Sequence, residues 1–239
     1  MQEKPSFPMR INKYLAHRGL ATRRGADELI TKGSVFVNGK KAELGQQIIE
    51  KDIVEVRGSR VEHRYIVYYK PRGVITHSPA EGEVDILMRL KKDYNLSGLF
   101  PVGRLDKASE GLIILTDDGR VTGRLLESEH AHEREYEVTV DKRVAGTFLS
   151  QLETGVRIEG YKTKKTKTSR LSTSSFSITL TEGKKHQIRR MCAALGYQVK
   201  KLVRVRIMNI KQNALKPGQF RILKNEELAT FLDTLGIKS

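Results

Sequence analysis

Apolar positions near the start of the chain recur at helical spacing. Ile11, Tyr14 and Leu15 stand at i, i+3 and i+4, which predicts a helix opening at Arg10 and stopped by Gly19. Thr22 is a candidate N-cap for a second helix through Ile30, ended by Gly33. Val35-Phe36-Val37 then runs into Asn38-Gly39, a pair that tolerates positive φ and signals a hairpin. A further strand is expected at Ile53–Val56. These elements form a small α/β module over residues 9–58, after a loose polar arm at 1–8. Gly58-Ser59-Arg60 reads as a linker. From Tyr65 onward strands and helices alternate. Strands are expected at Tyr65–Tyr69, Gly111–Leu115, Tyr136–Val140, Phe176–Leu180 and Val199–Ile207. Helices are expected at Asp85–Leu90, Arg120–Leu126, Ala145–Leu152, His186–Leu195 and Glu226–Leu235. The mixture predicts an α+β domain over residues 63–239, built on a mixed, largely antiparallel central sheet.

Charge sharpens this outline. The 239 residues carry 44 Lys or Arg and 28 Asp or Glu, a net charge of +16. Residues 161–224 alone hold 17 basic residues and one acid, Glu182. Strand-like runs such as Phe176–Leu180 lie within that segment, so it reads as a folded basic surface rather than a solvated tail. A polyanionic partner is expected, with nucleic acid ahead of a membrane surface. Cys192 is the single cysteine, which excludes a disulfide scaffold and multi-thiolate metal sites and fits a reducing cytoplasm. No apolar run is long enough for a membrane span. The six histidines show no HxxH or HExxH spacing, and no dinucleotide fingerprint is present, so neither a metal nor a cofactor is expected.

Two regions carry candidate chemistry. In the first module Arg10, Lys13, Arg18, Arg23, Arg24 and Lys32 line the helix pair, with Asn38 and Lys40 at the hairpin tip. Such groups suit phosphate oxygens, although scattered surface charge reads the same way. In the second, Gly103-Arg104-Leu105-Asp106-Lys107 leads into an apolar strand. A carboxylate on a loop braced by a buried strand suits nucleophilic or general-base work, and a lone aspartate there equally caps a turn. Arg104 and Lys107 are candidates for flanking phosphates.

The run from Met9 to Arg57, with its arginine-rich second helix and Val35-Phe-Val-Asn-Gly-Lys40 hairpin, resembles the S4 RNA-binding domain. Gly103–Gly119, GRLDKASEGLIILTDDG, resembles the signature of pseudouridine synthases, specifically the group that bears an S4 domain and modifies ribosomal RNA. Within the group, finer features resemble the large-subunit enzymes. The resemblance implies that Asp106 is the catalytic nucleophile. It makes Tyr136, in Glu133-Arg-Glu-Tyr-Glu-Val138, the residue that stacks on the target base. It also makes Arg189, in Gln187-Ile-Arg-Arg-Met191, the basic partner of Asp106, and Ile188 an apolar lining of the pocket. Lys185-His186 stands where relatives more often carry Asn-Arg, and Lys70-Pro71 follows a tyrosine where they carry Asn. The implied activity isomerises uridine in ribosomal RNA, with large-subunit RNA expected first and tRNA second, by a cytoplasmic monomer without cofactor. Two other readings are a non-catalytic RNA-binding or ribosome-assembly protein, and a metal-dependent phosphotransfer enzyme built on Asp117-Asp118.

Overall fold

The computed structural model describes residues 7–18, 20–57, 63–126 and 132–237. Gly19 and the linker at 58–60 therefore lie outside the described residues, as does the arm over residues 1–6.

The first unit runs β1 (Met9–Arg10), α1 (Ile11–His17), α2 (Arg23–Thr31), β2 (Val35–Val37), β3 (Lys40–Lys41), β4 (Gln47–Ile48) and β5 (Val54–Val56). Arg10 does not open the first helix. It ends a short strand that pairs with Gln47, and its backbone is extended, so the helix starts one residue later. Thr22 caps α2 as its residue type favours, its hydroxyl accepting from the Gly25 amide at 2.9 Å. Asn38 and Gly39 turn the β2–β3 hairpin with φ of 50° and 79°. Ile11, Leu15, Ala26, Ile30, Val35, Val37 and Ile48 close a core of their own. Phe7, placed by its sequence in the arm, packs on that core beside Tyr14 instead.

The second unit runs β6 (Tyr65–Lys70), α3 (Ile86–Tyr94), β7 (Phe100–Val102), β8 (Glu110–Thr116), α4 (Gly119–Leu126), β9 (Arg134–Val140), α5 (Gly146–Thr154), β10 (Arg157–Ile158), β11 (Tyr161–Lys162), β12 (Lys167–Arg170), β13 (Ser175–Leu180), α6 (Gln187–Ala194), β14 (Val199–Ile207), β15 (Ile210–Lys211), β16 (Phe220–Ile222) and α7 (Asn225–Thr234). One sheet takes the order β12-β13-β9-β14-β8-β6-β16, with β15 on β14 and β7 on β8. Every pairing in it is antiparallel except β14 with β8.

Alternation along the strands sorts the cores by face. Tyr65, Val67, Leu112 and Ile114 point to the side covered by α4 and α7. On the other side Ile66, Tyr68, Ile113 and Leu115 meet α3. At the far end of that same side Val138, Val140, Phe176 and Ile178 meet α5 and α6. Two separate cores thus share one face, and a row of cross-strand partners runs between them: Lys70 opposite Gly111, Gly111 opposite Arg204, Arg204 opposite Tyr136, Tyr136 opposite Ile178.

Gly111 is where the backbones come closest. Its φ is +110°, and a Cβ there would stand 2.4 Å from the Arg204 carbonyl oxygen and 2.6 Å from its nitrogen. Neither atom can retreat without parting the parallel pair β14–β8. Gly111→Ala is expected to destabilise the protein by at least about 3 kcal/mol in urea unfolding, since overlap and backbone strain add. Gly146→Ala is the control. Nothing lies within 4 Å of its Cβ position at the start of α5, so a gain of up to about 1 kcal/mol is expected.

Candidate active site

Asp106 lies on the turn between β7 and β8, beside the row just described. The turn is held at every backbone carbonyl from Arg104 to Ala108. Thr76 Oγ1 donates to the Leu105 carbonyl at 2.8 Å and accepts from the Leu105 amide at 3.0 Å. The Gly73 amide donates to the Lys107 carbonyl at 2.8 Å, and Ser109 N donates to the Asp106 carbonyl at 3.0 Å. Arg189 Nη2 donates to the Ala108 carbonyl at 3.2 Å and to Ser109 Oγ at 3.3 Å, while its Nη1 reaches the Val199 carbonyl at 3.2 Å. Arg204 Nε donates to the Leu112 carbonyl at 2.7 Å and Nη1 to the Arg104 carbonyl at 3.4 Å. The backbone is fixed from four directions while the Asp106 carboxylate stays 35% exposed.

This corrects the sequence-based pairing. Arg189 holds the carbonyls of the turn instead of the carboxylate, and the group at the carboxylate is His186, whose Nε2 lies 3.1 Å from Asp106 Oδ1. His186 is left-handed, with φ 53° and ψ 27°, at the N-cap of α6. A side chain in that region costs about 1 kcal/mol, and here the conformation carries the imidazole to the aspartate. The helix behind it is fixed by Glu182. That carboxylate accepts from Gln187 Nε2 at 2.6 Å, from the Lys164 amide at 3.0 Å and from the Tyr161 hydroxyl. The single acid of the basic segment therefore ties the β10–β11 ribbon to α6.

Ile188 is 4% exposed and belongs to the core under α5 and α6. Tyr136 is half-buried on β9 at the edge of the same core. Arg104 is exposed. Lys107 is also exposed, and its ammonium is engaged by Glu83 at 2.7 Å. Lys70 is a site residue that motif reading passed over. It is fully buried at the end of β6 and donates to the carbonyls of Pro71 at 3.0 Å and Val74 at 2.6 Å, shaping the loop that grips Lys107. Asp117 and Asp118 do not form a metal pair. Asp117 receives His63, Arg64 and the Arg64 amide; Asp118 is buried under Tyr65 and Arg120. No cluster of metal-ligating side chains occurs among the described residues.

In the first unit Arg10, Lys13, Arg18, Arg23, Arg24, Lys32 and Lys40 are all exposed. Arg10, Lys13 and Arg23 line a cleft of about 310 Å³ with Met9, Asn12 and Gln47. Asn38 is different, because its amide is spent on the fold: Nδ2 donates to Asp52 at 2.8 Å and Oδ1 accepts from the Ile53 amide at 2.9 Å. The basic segment is also divided. Arg206 pairs with Glu133 and Glu135, Arg221 with Glu227 and Arg190 with Glu159. Lys162, Lys164, Lys165, Arg170, Lys184 and Lys185 remain exposed.

Burial pushes the Lys70 ammonium from 10.5 down to about 8; the negative charges of Asp106 and Glu110 resist the fall and Arg204 adds to it. Between pH 8 and 10.5 the unfolded lysine holds a proton that the folded one has lost, so this group adds stability as pH rises through that window. Asp106→Asn removes a charge that supports the protonated amine. The Lys70 titration, followed by its ¹³Cε shift, is expected to move below 8 in that variant.

Comparison with known proteins gives the family. The family model described as RNA pseudouridylate synthase matches residues 64–194, and the S4 domain model matches residues 9–63. The dual-specificity RNA pseudouridine synthase RluF of Escherichia coli K12 is 40% identical over 230 residues, 94% of this chain and 78% of that protein. Ribosomal large subunit pseudouridine synthase B of Bacillus subtilis is 35% identical over 229 residues, covering 92% and 93%. A crystal structure of a pseudouridylate synthase superposes with a TM-score of 0.68 at 28% identity, covering 95% of this chain and 99% of the other. With an S4 domain ahead of a matched catalytic domain, the chain belongs to the RNA pseudouridylate synthase family.

Proposed function

We propose that this pseudouridine synthase acts on ribosomal RNA, on the large subunit first and tRNA second, with Asp106 as the carboxylate that works at the ribose. The observation that carries the reading is the turn at residues 104–109, held by Thr76, Gly73, Arg189 and Arg204 with its carboxylate part-exposed beside His186. A group that must meet one atom of a large substrate gains from such fixation. The large-subunit name of the Bacillus subtilis relative supports the choice of RNA.

The reaction breaks the bond from N1 of uracil to C1′ of ribose and joins C5 to the same carbon; C5 loses a proton and N1 gains one, with no net redox change. Asp106 either attacks the ribose or takes a proton from it. A uridine in a stem is out of reach, so the nucleotide must be unpaired or flipped, at a cost of a few kcal/mol. Stacking on Tyr136, about 1–3 kcal/mol, offsets most of that cost. Arg189 serves through the turn that it holds, Ile188 through the core beneath α6, and Arg104 meets a flanking phosphate. Lys107 joins it only by leaving Glu83. The exposed lysines of β11 through β12, with Arg10, Lys13, Arg23 and their neighbours in the S4 domain, contact the phosphate backbone. Among the described residues no helix is long and apolar enough to cross a membrane; the reading has the enzyme acting as a monomer on cytoplasmic RNA.

Tritium release from [5-³H]uridine in ribosomal RNA transcripts and in isolated subunits tests this. The wild-type protein is expected to release tritium. Asp106→Asn is expected to lose at least a thousandfold in rate while its RNA affinity stays within about threefold of wild type. Release from tRNA alone would overturn the choice of substrate; a fully active Asp106→Asn would overturn the role of the carboxylate. Removal of residues 1–58 is expected to weaken RNA binding at least tenfold and leave a folded core by circular dichroism. An unfolded remainder would contradict the boundary at 58.

A further inference from the structure

Arg204 is a charged member of the central row that no sequence motif singled out. It lies on β14, beyond the residues 64–194 that the family model matches. It is 3% exposed and has no carboxylate within ion-pair distance among the described residues. A buried guanidinium without a counter-ion costs several kcal/mol. Leu202, two residues earlier on the same face, shows the inexpensive way to fill such a position. The fold also makes room for this arginine twice over. Gly111 lets the β14 backbone approach β8, and the β14–β9 register shifts immediately after residue 204.

The guanidinium is spent on two carbonyls, those of Arg104 and Leu112. These stand on either side of Asp106, two residues before it and six after. Nη2 has no hydrogen-bond partner among the described residues, so the two carbonyls account for all the hydrogen bonds the guanidinium makes there. The side chain spans the mouth of the turn like a bar. Lys70, its neighbour across Gly111, fixes the loop on the opposite side.

We infer that Arg204 is a positioning residue for uridine isomerisation, setting the reach of Asp106 by tying the start of its turn, at Arg104, to the strand that follows it, at Leu112. The inference rests on the proposed role of Asp106. Lysine at 204 keeps the charge and the apolar stem but presents one ammonium where two N–H groups reach two carbonyls in different directions. Single-turnover tritium release, RNA affinity and amide hydrogen exchange are measured on the full chain for wild type, Arg204→Lys and Arg204→Met. Arg204→Lys is expected to fold, to bind RNA within about threefold of wild type and to lose about tenfold in the rate of the chemical step. Exchange is expected to accelerate at residues 104–112 and to stay unchanged in β9 and β13. Arg204→Met, where it folds, is expected to lose about a hundredfold. A folded Arg204→Lys with wild-type rate would overturn the inference, and so would a rate loss matched by an equal loss of RNA affinity. Absence of tritium release from the wild-type protein would instead refute the substrate reading, whatever the variants do.

Discussion

The close approach of β8 and β14 at Gly111 is the constraint on which the rest of the catalytic unit depends. It is the only parallel pairing in the sheet among the described residues, and it joins the half that carries α3 to the half that carries α5 and α6. Were the strands held apart by a side chain at 111, the two cores on that face would separate. Arg204 would then lose the carbonyls that it reaches, and the Asp106 turn would lose one of its four supports. A missing side chain, rather than a present one, places the carboxylate.

The cleft that results is an interruption in a hydrophobic face. Four of the strands that contribute apolar residues to that face depart from the pattern at one row, with Lys70, Gly111, Arg204 and Tyr136. Charge in this row is desolvated, so its members act on one another strongly: the depressed pKa of Lys70 registers burial first and then the pull of Asp106. The exposed lysines of residues 162–185 work in a different medium. Water and salt screen them, which suits attraction of RNA over a distance and not the shaping of the site. The segment read from sequence as one basic surface thus has two functions, because Arg189, Arg204, Arg206 and Arg221 point into the protein.

Much of this was legible beforehand. Thr22, Asn38-Gly39 and the alternating runs Tyr65–Tyr69 and Phe176–Leu180 act locally, so the helices and strands they imply stand within a few residues of expectation. Two-residue strands such as Met9–Arg10 and Gln47–Ile48 were missed because they have no period to detect; distant pairing alone defines them. The site divides along the same line. Asp106 was conspicuous within its motif. Lys70 is one polar residue at the end of β6 and Arg204 one of several inside β14, and only the register brings them together from positions more than 130 residues apart. The partner of Asp106 was misread because Lys184-Lys185-His186-Gln187-Ile188-Arg189 offers four cations or imidazoles within six positions. The left-handed turn at His186, which no periodicity reveals, decides which one arrives.

Row order also sets a timetable. Lys70 and Gly111 leave the ribosome before Tyr136, and Arg204 follows nearly a hundred residues after Gly111. Until β14 inserts between β8 and β9, these two strands have no partner in common and the Asp106 turn has no bar across its mouth. A growing chain therefore carries the complete aspartate signature without a usable site. The row is complete only once β14, residues 199–207, has been made and stands between β8 and β9.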